Sequence, residues 1–419
     1  MSIIFTISII IFVLSILYHK KNKGKWPLVP LIVFFSVTIN FILYLFHWSD
    51  AMVEPVYPET YLMITTIQIV FSIYCFLPNQ GVKKANFRTR KISLGNFKIL
   101  PSCLLLVLCL ALCIMENFIL FGSLIAANSH AHTSAVPILS SVLKGLYPLA
   151  GILTFIDYEN TKKKSILLLA SLVLVYSVIG SQGRFWPICA VLTTVFFMGH
   201  KTYKKHGTKA IGWLKNIKLR YKVLGAIGLF YSLGYLINMG ASRISMFTYS
   251  ELLKYTGPGN GKNLGELLSW YYGYFPFSFY NLNTTIHSIS QLRNYTYGQF
   301  LINPYACFFH VDSLLGIDYT LLNKSIRVVQ LNVATVATGY YEFFSDFGYF
   351  FVIGILVFVI YTRYFEKKKT FLGIACYSYM LLVWVMMSFL NVYTVGIFIY
   401  FFVFAFIANK WIVIQKSDE

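Results

Sequence analysis

The sequence predicts an all-α polytopic integral membrane protein of about eleven transmembrane helices, with one large outer loop that holds short interfacial helices. Three observations predict it. Only 12% of the 419 residues are charged and 57% are of hydrophobic types, for a mean hydropathy of +0.66, whereas a soluble domain carries roughly 25% charge. The apolar residues gather into runs of the length a helix needs to cross the hydrocarbon core with its backbone hydrogen bonds closed internally, about 20 residues. The basic residues alternate with those runs: of 35 Lys and Arg, 27 lie in short stretches between or beside them. Retention at one membrane face explains that placement, so the net charge of +20 does not call for nucleic acid as a partner.

The first run, 2–18, has its basic residues after it and no small-residue cleavage site, so it reads as a retained span and not as a signal peptide. Further runs follow at 27–46, 61–77, 99–120, 136–156, 165–180, 186–199 and 223–239, then at 343–362, 371–388 and 392–409. Every second connection is basic: 20–25, 83–98, 162–164, 201–222, 363–369 and the tail from 410. The others differ in kind. HWSDAMVEPVYPET (47–60) is acidic without Lys or Arg, FGSLIAANSHAHTSA (121–135) has no acid, Lys or Arg, and NVYT (391–394) is uncharged. The positive-inside rule then puts the N-terminus outside and the C-terminus in the cytoplasm. It divides the chain into a bundle of about eight spans over 1–239, an outer loop region over 240–342 and about three spans over 343–419.

The outer segment lacks the uniform polarity of a linker. GELLSWYYGYFPFSFYNLNTT (265–285) and INPYACFFHVDSLLG (302–316) are aromatic and apolar, and GPGNGKN (257–263) is a turn-rich hinge. A structureless loop of this length would be unusual, so interfacial or re-entrant helices are expected, with their aromatic residues at headgroup depth. Arg184, Arg243, Arg293 and Arg327 fall on this face. Guanidinium keeps its charge and donates two parallel hydrogen bonds to a phosphate, so with Lys144, inside a span, they suggest a phosphate-binding cavity near the outer leaflet. Lipid snorkelling or internal salt bridges are the competing account of each arginine.

Candidate proton acceptors are His310 and Asp312 in FFHVDSLLG. His130 and His132 form an HAH pair without a third nearby ligand, and the seven cysteines stand singly, so neither a metal site nor a disulfide framework is indicated. Glu116 and Asp157, at span ends, read as structural ion-pair members. Asp346 can bind substrate, or cap or orient a helix.

The stretch NVATVATGYYEFFSDFGYFFVIG (332–354) resembles the segment near the C-terminus of bacterial oligosaccharide repeat-unit polymerases, the O-antigen and capsular polysaccharide class. Asn332 and Thr335 match an Asn-x-x-Thr element; Ser345, Asp346, Phe347 and Gly348 match the Asp-Phe-Gly that leads into a span. Asp-Phe-Gly is also a kinase motif, but here it borders a membrane helix and has no glycine-rich loop, catalytic-loop Asp or lysine-bearing strand around it. Arg243 and Gly259 match an Arg and Gly separated by fifteen residues in some members' outer loops.

The resemblance implies a C-type glycosyltransferase-like protein of the bacterial inner (plasma) membrane, with its active site on the periplasmic or extracytoplasmic side. Such an enzyme transfers a growing glycan from undecaprenyl pyrophosphate to the non-reducing end of a new lipid-linked repeat unit, with no cofactor. The implied partners are undecaprenyl-pyrophosphate-linked oligosaccharides, membrane lipids, a chain-length regulator and a flippase. In that frame Arg184 and Arg243 hold the donor pyrophosphate, and His310 or Asp312 deprotonates the acceptor. Arg293, Arg327, Lys144, Asn332 and Asp346 bind substrate, and Tyr271 and Tyr272 stack on sugars. A ligase for lipid-linked glycans is chemically close. A flippase or exporter predicts internal repeats that are not evident here, and an acyltransferase predicts a histidine-centred motif that is lacking.

Overall fold

The structure, a computed structural model, describes residues 2–47, 52, 54–77, 86–94, 97–124, 137–179, 185–206, 275–324, 337–395 and 398–415. They are mostly helical. Four helical stretches are long and apolar enough to cross a membrane by length and composition: Ile3–Lys23, Leu28–Leu45, Pro58–Phe76 and Pro101–Ile119. Lys164–Ser177, Pro187–Gly199, Phe371–Met386 and Phe398–Trp411 are shorter apolar helices. The expected span 223–239 lies outside the described residues.

Contacts divide the chain into two units that interleave along the sequence. One comprises Met1–Asn79, Gly212–Ile360 and Val383–Val395; the other comprises Gln80–Ile211, Tyr361–Leu382 and Gly396–Glu419.

In the first unit, α1 (Ser2–Lys23) is followed by α2 (Leu28–Val33), a π-helical stretch Phe34–Ile39, α3 (Asn40–Leu45) and α4 (Pro58–Phe76). Helix α1 is polar inside and apolar outside. Ile3, Ile7, Ile10, Leu14 and Leu17 form an exposed stripe at helical spacing, while Ser8, Ser15 and His19 are buried with Phe5 and Phe12. Hydrocarbon rewards that inversion and water penalises it. The buried polar groups find partners: Ser8 donates to Gln68, whose Nε2 donates to Thr38 Oγ1 at 3.3 Å. Contacts along α1 and α4 match end for end. Phe5 meets Tyr61 near the N-termini, Ser8 meets Gln68 midway, and His19 Nδ1 lies 2.6 Å from Cys75 O near the C-termini. The two helices therefore run parallel, as spans separated by a single return crossing must.

The rest of the first unit holds α9 (Pro276–Leu292), α10 (Gln299–Phe308), α11 (Tyr319–Lys324), α12 (Tyr340–Phe347), the start of α13 (Val352–Lys367), the end of α14 (Phe371–Met386) and α15 (Val392–Val395). The 240–342 segment is helical where it is described, and Phe277, Phe279 and Tyr280 of α9 are buried. The run 343–362 is not one helix. Gly348, at φ +54°, ends α12, and a 3₁₀ turn leads into α13. A left-handed φ is ordinary for glycine and ends an α-helix.

In the second unit, α5 (Pro101–Phe121), α6 (Pro137–Thr161), α7 (Lys164–Ile179), α8 (Phe185–His206) and α16 (Phe398–Ala408) pack around α6. The unit agrees with the expected all-α membrane class and adds two short strand pairs to its helices. Strand β1 (Asn86–Thr89) pairs antiparallel with β4 (Ile412–Gln415), and β2 (Ile92–Leu94) with β3 (Phe97–Ile99). These strands fall in short basic connections, where β-branched and aromatic residues alternate with polar ones over too few residues to signal against the apolar runs. Thr89 donates to Asp157, whose second oxygen accepts from Ser102 N at 3.1 Å, and Asn160 Nδ2 donates to Phe87 O at 3.3 Å. Thus segments 86–89, 157–161 and 412–415, drawn from or adjoining three basic stretches, meet at one end of this unit. At the opposite end Asn117 bonds Leu124 O and Tyr176 Oη. Asp157, expected in an ion pair, is held by neutral donors instead.

Candidate functional site

The polar groups with chemical potential gather in the first unit where α9, α10 and α12 meet the start of α4. Pro276 opens α9, where its missing N–H costs no bond. Asn283 then ties α9 to the loop before α4. Its Nδ2 donates to Pro55 O at 2.9 Å, and its Oδ1 accepts from Tyr57 N and Thr60 Oγ1 at 2.8 Å each.

One turn further along the same face stands His287. Its ring stacks on Tyr57, centroids 3.6 Å apart and planes within 3°. Its Nδ1 faces Glu59 Oε1 at 3.6 Å, beyond hydrogen-bond length. Glu59, in the first turn of α4, is 8% exposed, and the helix N-terminus favours its negative charge. His287 Nδ1 and Glu59 Oε2 are both enclosed without a hydrogen-bond partner among the described residues. Tyr57 Oη donates to Glu54 Oε2 at 2.7 Å, and that bond, with burial adding to it, lifts the phenol above its ordinary value. The chain approach at Asn283 thus sets an imidazole against a buried carboxylate. The exposed Arg293 closes α9 with φ +53°, and its charge and that of Glu59 both reach Tyr295.

Asp346, expected to bind substrate or to cap or orient a helix, is engaged within the protein. Its Oδ1 accepts from Thr296 Oγ1 at 2.6 Å and Phe300 N at 2.8 Å, and its Oδ2 accepts from Leu301 N at 2.9 Å. These are first-turn amides of α10, which need acceptors from outside the helix. Asp346 is 2% exposed and caps α10, not the helix that carries it. Thr296 N donates to Ser345 O at 2.7 Å, doubling the tie.

The far end of α10 leads to His310 and Asp312. His310 is exposed with φ +54°. Asp312 Oδ2 accepts from Tyr319 Oη at 2.7 Å, and Cys307 Sγ lies 3.4 Å from that hydroxyl. The Tyr319 bond, with a contribution from His310, holds the Asp312 carboxyl below its ordinary value. These two candidates are brought together, but in an open loop, where a carboxylate is a weak base. Asp318 caps α11 through Thr320 N and Leu321 N at 2.9 and 3.1 Å.

Of the other expected site residues, Arg184, Arg243, Arg327, Tyr271, Tyr272 and Asn332 lie outside the described residues, as do Thr335, Gly259, His130 and His132. Lys144 lies in α6, in the second unit. Glu59 and His287 were not anticipated. The one sequence signal for Glu59 is its acidic, Lys- and Arg-free stretch between spans, and His287 sits in a segment already marked as structured.

No family model matches the chain, no curated protein matches it, and no solved structure matches it.

The cluster can accept a proton at an imidazole backed by a carboxylate, and it carries a guanidinium on the same helix. Among the described residues no group of three or more His, Cys, Asp or Glu is placed to hold a metal ion.

Proposed function

We propose that this chain is a membrane glycosyltransferase that polymerises undecaprenyl-pyrophosphate-linked repeat units into an O-antigen or capsular polysaccharide. In this reading it crosses the membrane about eleven times, N-terminus out and C-terminus in, and works at the outer face of a bacterial plasma membrane. The observation that supports it most is the place of the Ser345–Gly348 segment. That segment carries the resemblance, and Asp346 within it holds the helix leading to His310 and Asp312. A polar, proton-accepting and cationic cluster borders helices whose exposed faces are apolar, which suits substrates with lipid tails, pyrophosphates and sugars.

The chemistry asks little beyond positioning. The acceptor hydroxyl oxygen bonds to the anomeric carbon of the donor glycan, the bond from that carbon to the pyrophosphate oxygen breaks, and the electron pair leaves with the pyrophosphate. Cationic groups lower the barrier by meeting the charge that grows there. Arg184 and Arg243 are assigned to the donor pyrophosphate, Arg293 and Arg327 to the second lipid-linked substrate.

Purified protein in phospholipid vesicles, supplied with the lipid-linked repeat unit that accumulates in cells lacking this chain and with no nucleotide sugar, tests the reading. A ladder of dimers and longer chains is the expected result. Transfer only to a different acceptor makes the protein a ligase, and transbilayer movement without product makes it a flippase or exporter.

A further inference from the structure

We propose that His287 is the base that deprotonates the acceptor hydroxyl, with Glu59 as its positioning carboxylate. The inference rests on the polymerase reading and replaces His310 and Asp312 in that role. Three structural features carry it. Glu59 is more than nine-tenths buried, and its Oε2 has no hydrogen-bond partner among the described residues. His287 Nδ1, also enclosed and without such a partner, faces Glu59 Oε1 at 3.6 Å. The His287 side chain is 29% exposed while its Nδ1 is enclosed, so the ring is open elsewhere than at Nδ1.

A carboxylate on the Nδ1 side fixes the tautomer with the proton on Nδ1 and leaves the Nε2 lone pair as the acceptor. The separation of 3.6 Å closes to a hydrogen bond with a small ring rotation, and such bonds are commonly long before substrate binds. Tyr57, stacked parallel on the imidazole, restricts other motion. A buried carboxylate left without donors costs stability, so the arrangement is costly unless the ring supplies the donor. His310 and Asp312 have no comparable enclosure. Other ionisable groups facing this end, among the described residues, are Glu54, Tyr57, Tyr280, Tyr295, Tyr349 and Arg293.

In the step, the O–H bond of the acceptor breaks as its oxygen bonds to the anomeric carbon. The proton passes to His287 Nε2, the electron pair of the cleaved bond leaves on the pyrophosphate, and the imidazolium returns its proton to solvent. No oxidant or further reactant is needed.

The test uses the full chain in vesicles with the accumulated lipid-linked repeat unit. Wild-type kcat/KM falls on the acid side as the base becomes protonated, and His287→Gln lowers it about 100-fold or more with that acid limb lost. Glu59→Gln gives a smaller loss with a displaced acid limb, partly restored in Glu59→Asp. Protection of the wild-type protein supplies a measurement free of folding effects: the repeat unit shields His287, and not His310, from carbethoxylation mapped by peptide mass. An unchanged pH profile in folded His287→Gln, loss of the acid limb in His310→Gln instead, or an unshielded His287 overturns the inference while leaving the polymerase reading intact. A wild-type protein that forms no ladder removes the reading itself and the inference with it.

Discussion

Replacing Asp346 by asparagine separates capping from substrate binding. The carboxylate accepts from Thr296 Oγ1, Phe300 N and Leu301 N at 2.6, 2.8 and 2.9 Å. Bonds to an ionised acceptor contribute about 1.5–3 kcal/mol and neutral ones about 0.5–1.5, so two bonds kept by the amide oxygen weaken by about 1 kcal/mol each. The amide nitrogen then meets the Leu301 N–H donor to donor, and an unsatisfied amide costs about 1–3 kcal/mol more. The sum, about 3–5 kcal/mol on opening the first turn of α10, corresponds to roughly hundred- to several-thousand-fold faster hydrogen exchange. Hydrogen-exchange mass spectrometry on peptides covering Phe300 and Leu301 measures it. Unchanged exchange there would refute the cap. Lost polymer output with unchanged exchange would return Asp346 to substrate binding.

Four further outcomes are expected. Gly339→Ala places a Cβ 2.6 Å from Asn391 N and 2.9 Å from its Cα, so thermal unfolding in detergent should show a loss of about 1–3 kcal/mol or more; Gly199→Ala, with nothing within 4 Å in an exposed part of α8, should be neutral or slightly stabilising. Because Tyr319 depresses the Asp312 carboxyl, their bond should persist at and above the ordinary carboxylate value of about 4 and be lost only as pH falls through the lower folded value. The carboxyl-carbon shift of Asp312 should therefore titrate at higher pH in Tyr319→Phe. Cys307 is the exposed cysteine, the others being buried or half-buried, so an impermeant maleimide should label it on intact spheroplasts and not in Cys307→Ser; labelling only after permeabilisation would reverse the orientation. Arg243→Ala at matched abundance should shorten the polymer made in cells, and full-length product would remove Arg243 from the mechanism.

The helices were largely legible because each announces itself locally. The runs at 2–18, 61–77 and 99–120 coincide with the cores of α1, α4 and α5, since twenty apolar residues have the same preference for hydrocarbon whatever their neighbours. The run at 343–362 misled for the same reason: its composition is continuous, and the break depends on one glycine taking a left-handed φ. The site was less legible. His310 and Asp312 were marked by residue type and do lie together, yet Asp312 is already engaged by Tyr319. Asp346 was marked by its motif, but which donors would reach its oxygens depends on where α10 begins. Glu59 and His287 were unmarked, since neither has a neighbour in sequence that makes it unusual.

By itself the sequence determined the membrane class, the positions of the apolar helices and the grouping of connections by charge. Segments 86–89, 157–161 and 412–415, in or beside three of the basic stretches, meet at one end of their unit. Partition into hydrocarbon and retention of basic residues are sums over short segments, so they can be read without knowing the fold. Only the tertiary structure decided that β1 pairs with β4, that Asp346 caps α10 and that Glu59 faces His287. A hydrogen bond or an ion contact acts over about 3–4 Å, and residues far apart in the chain come that close only when packing brings them there.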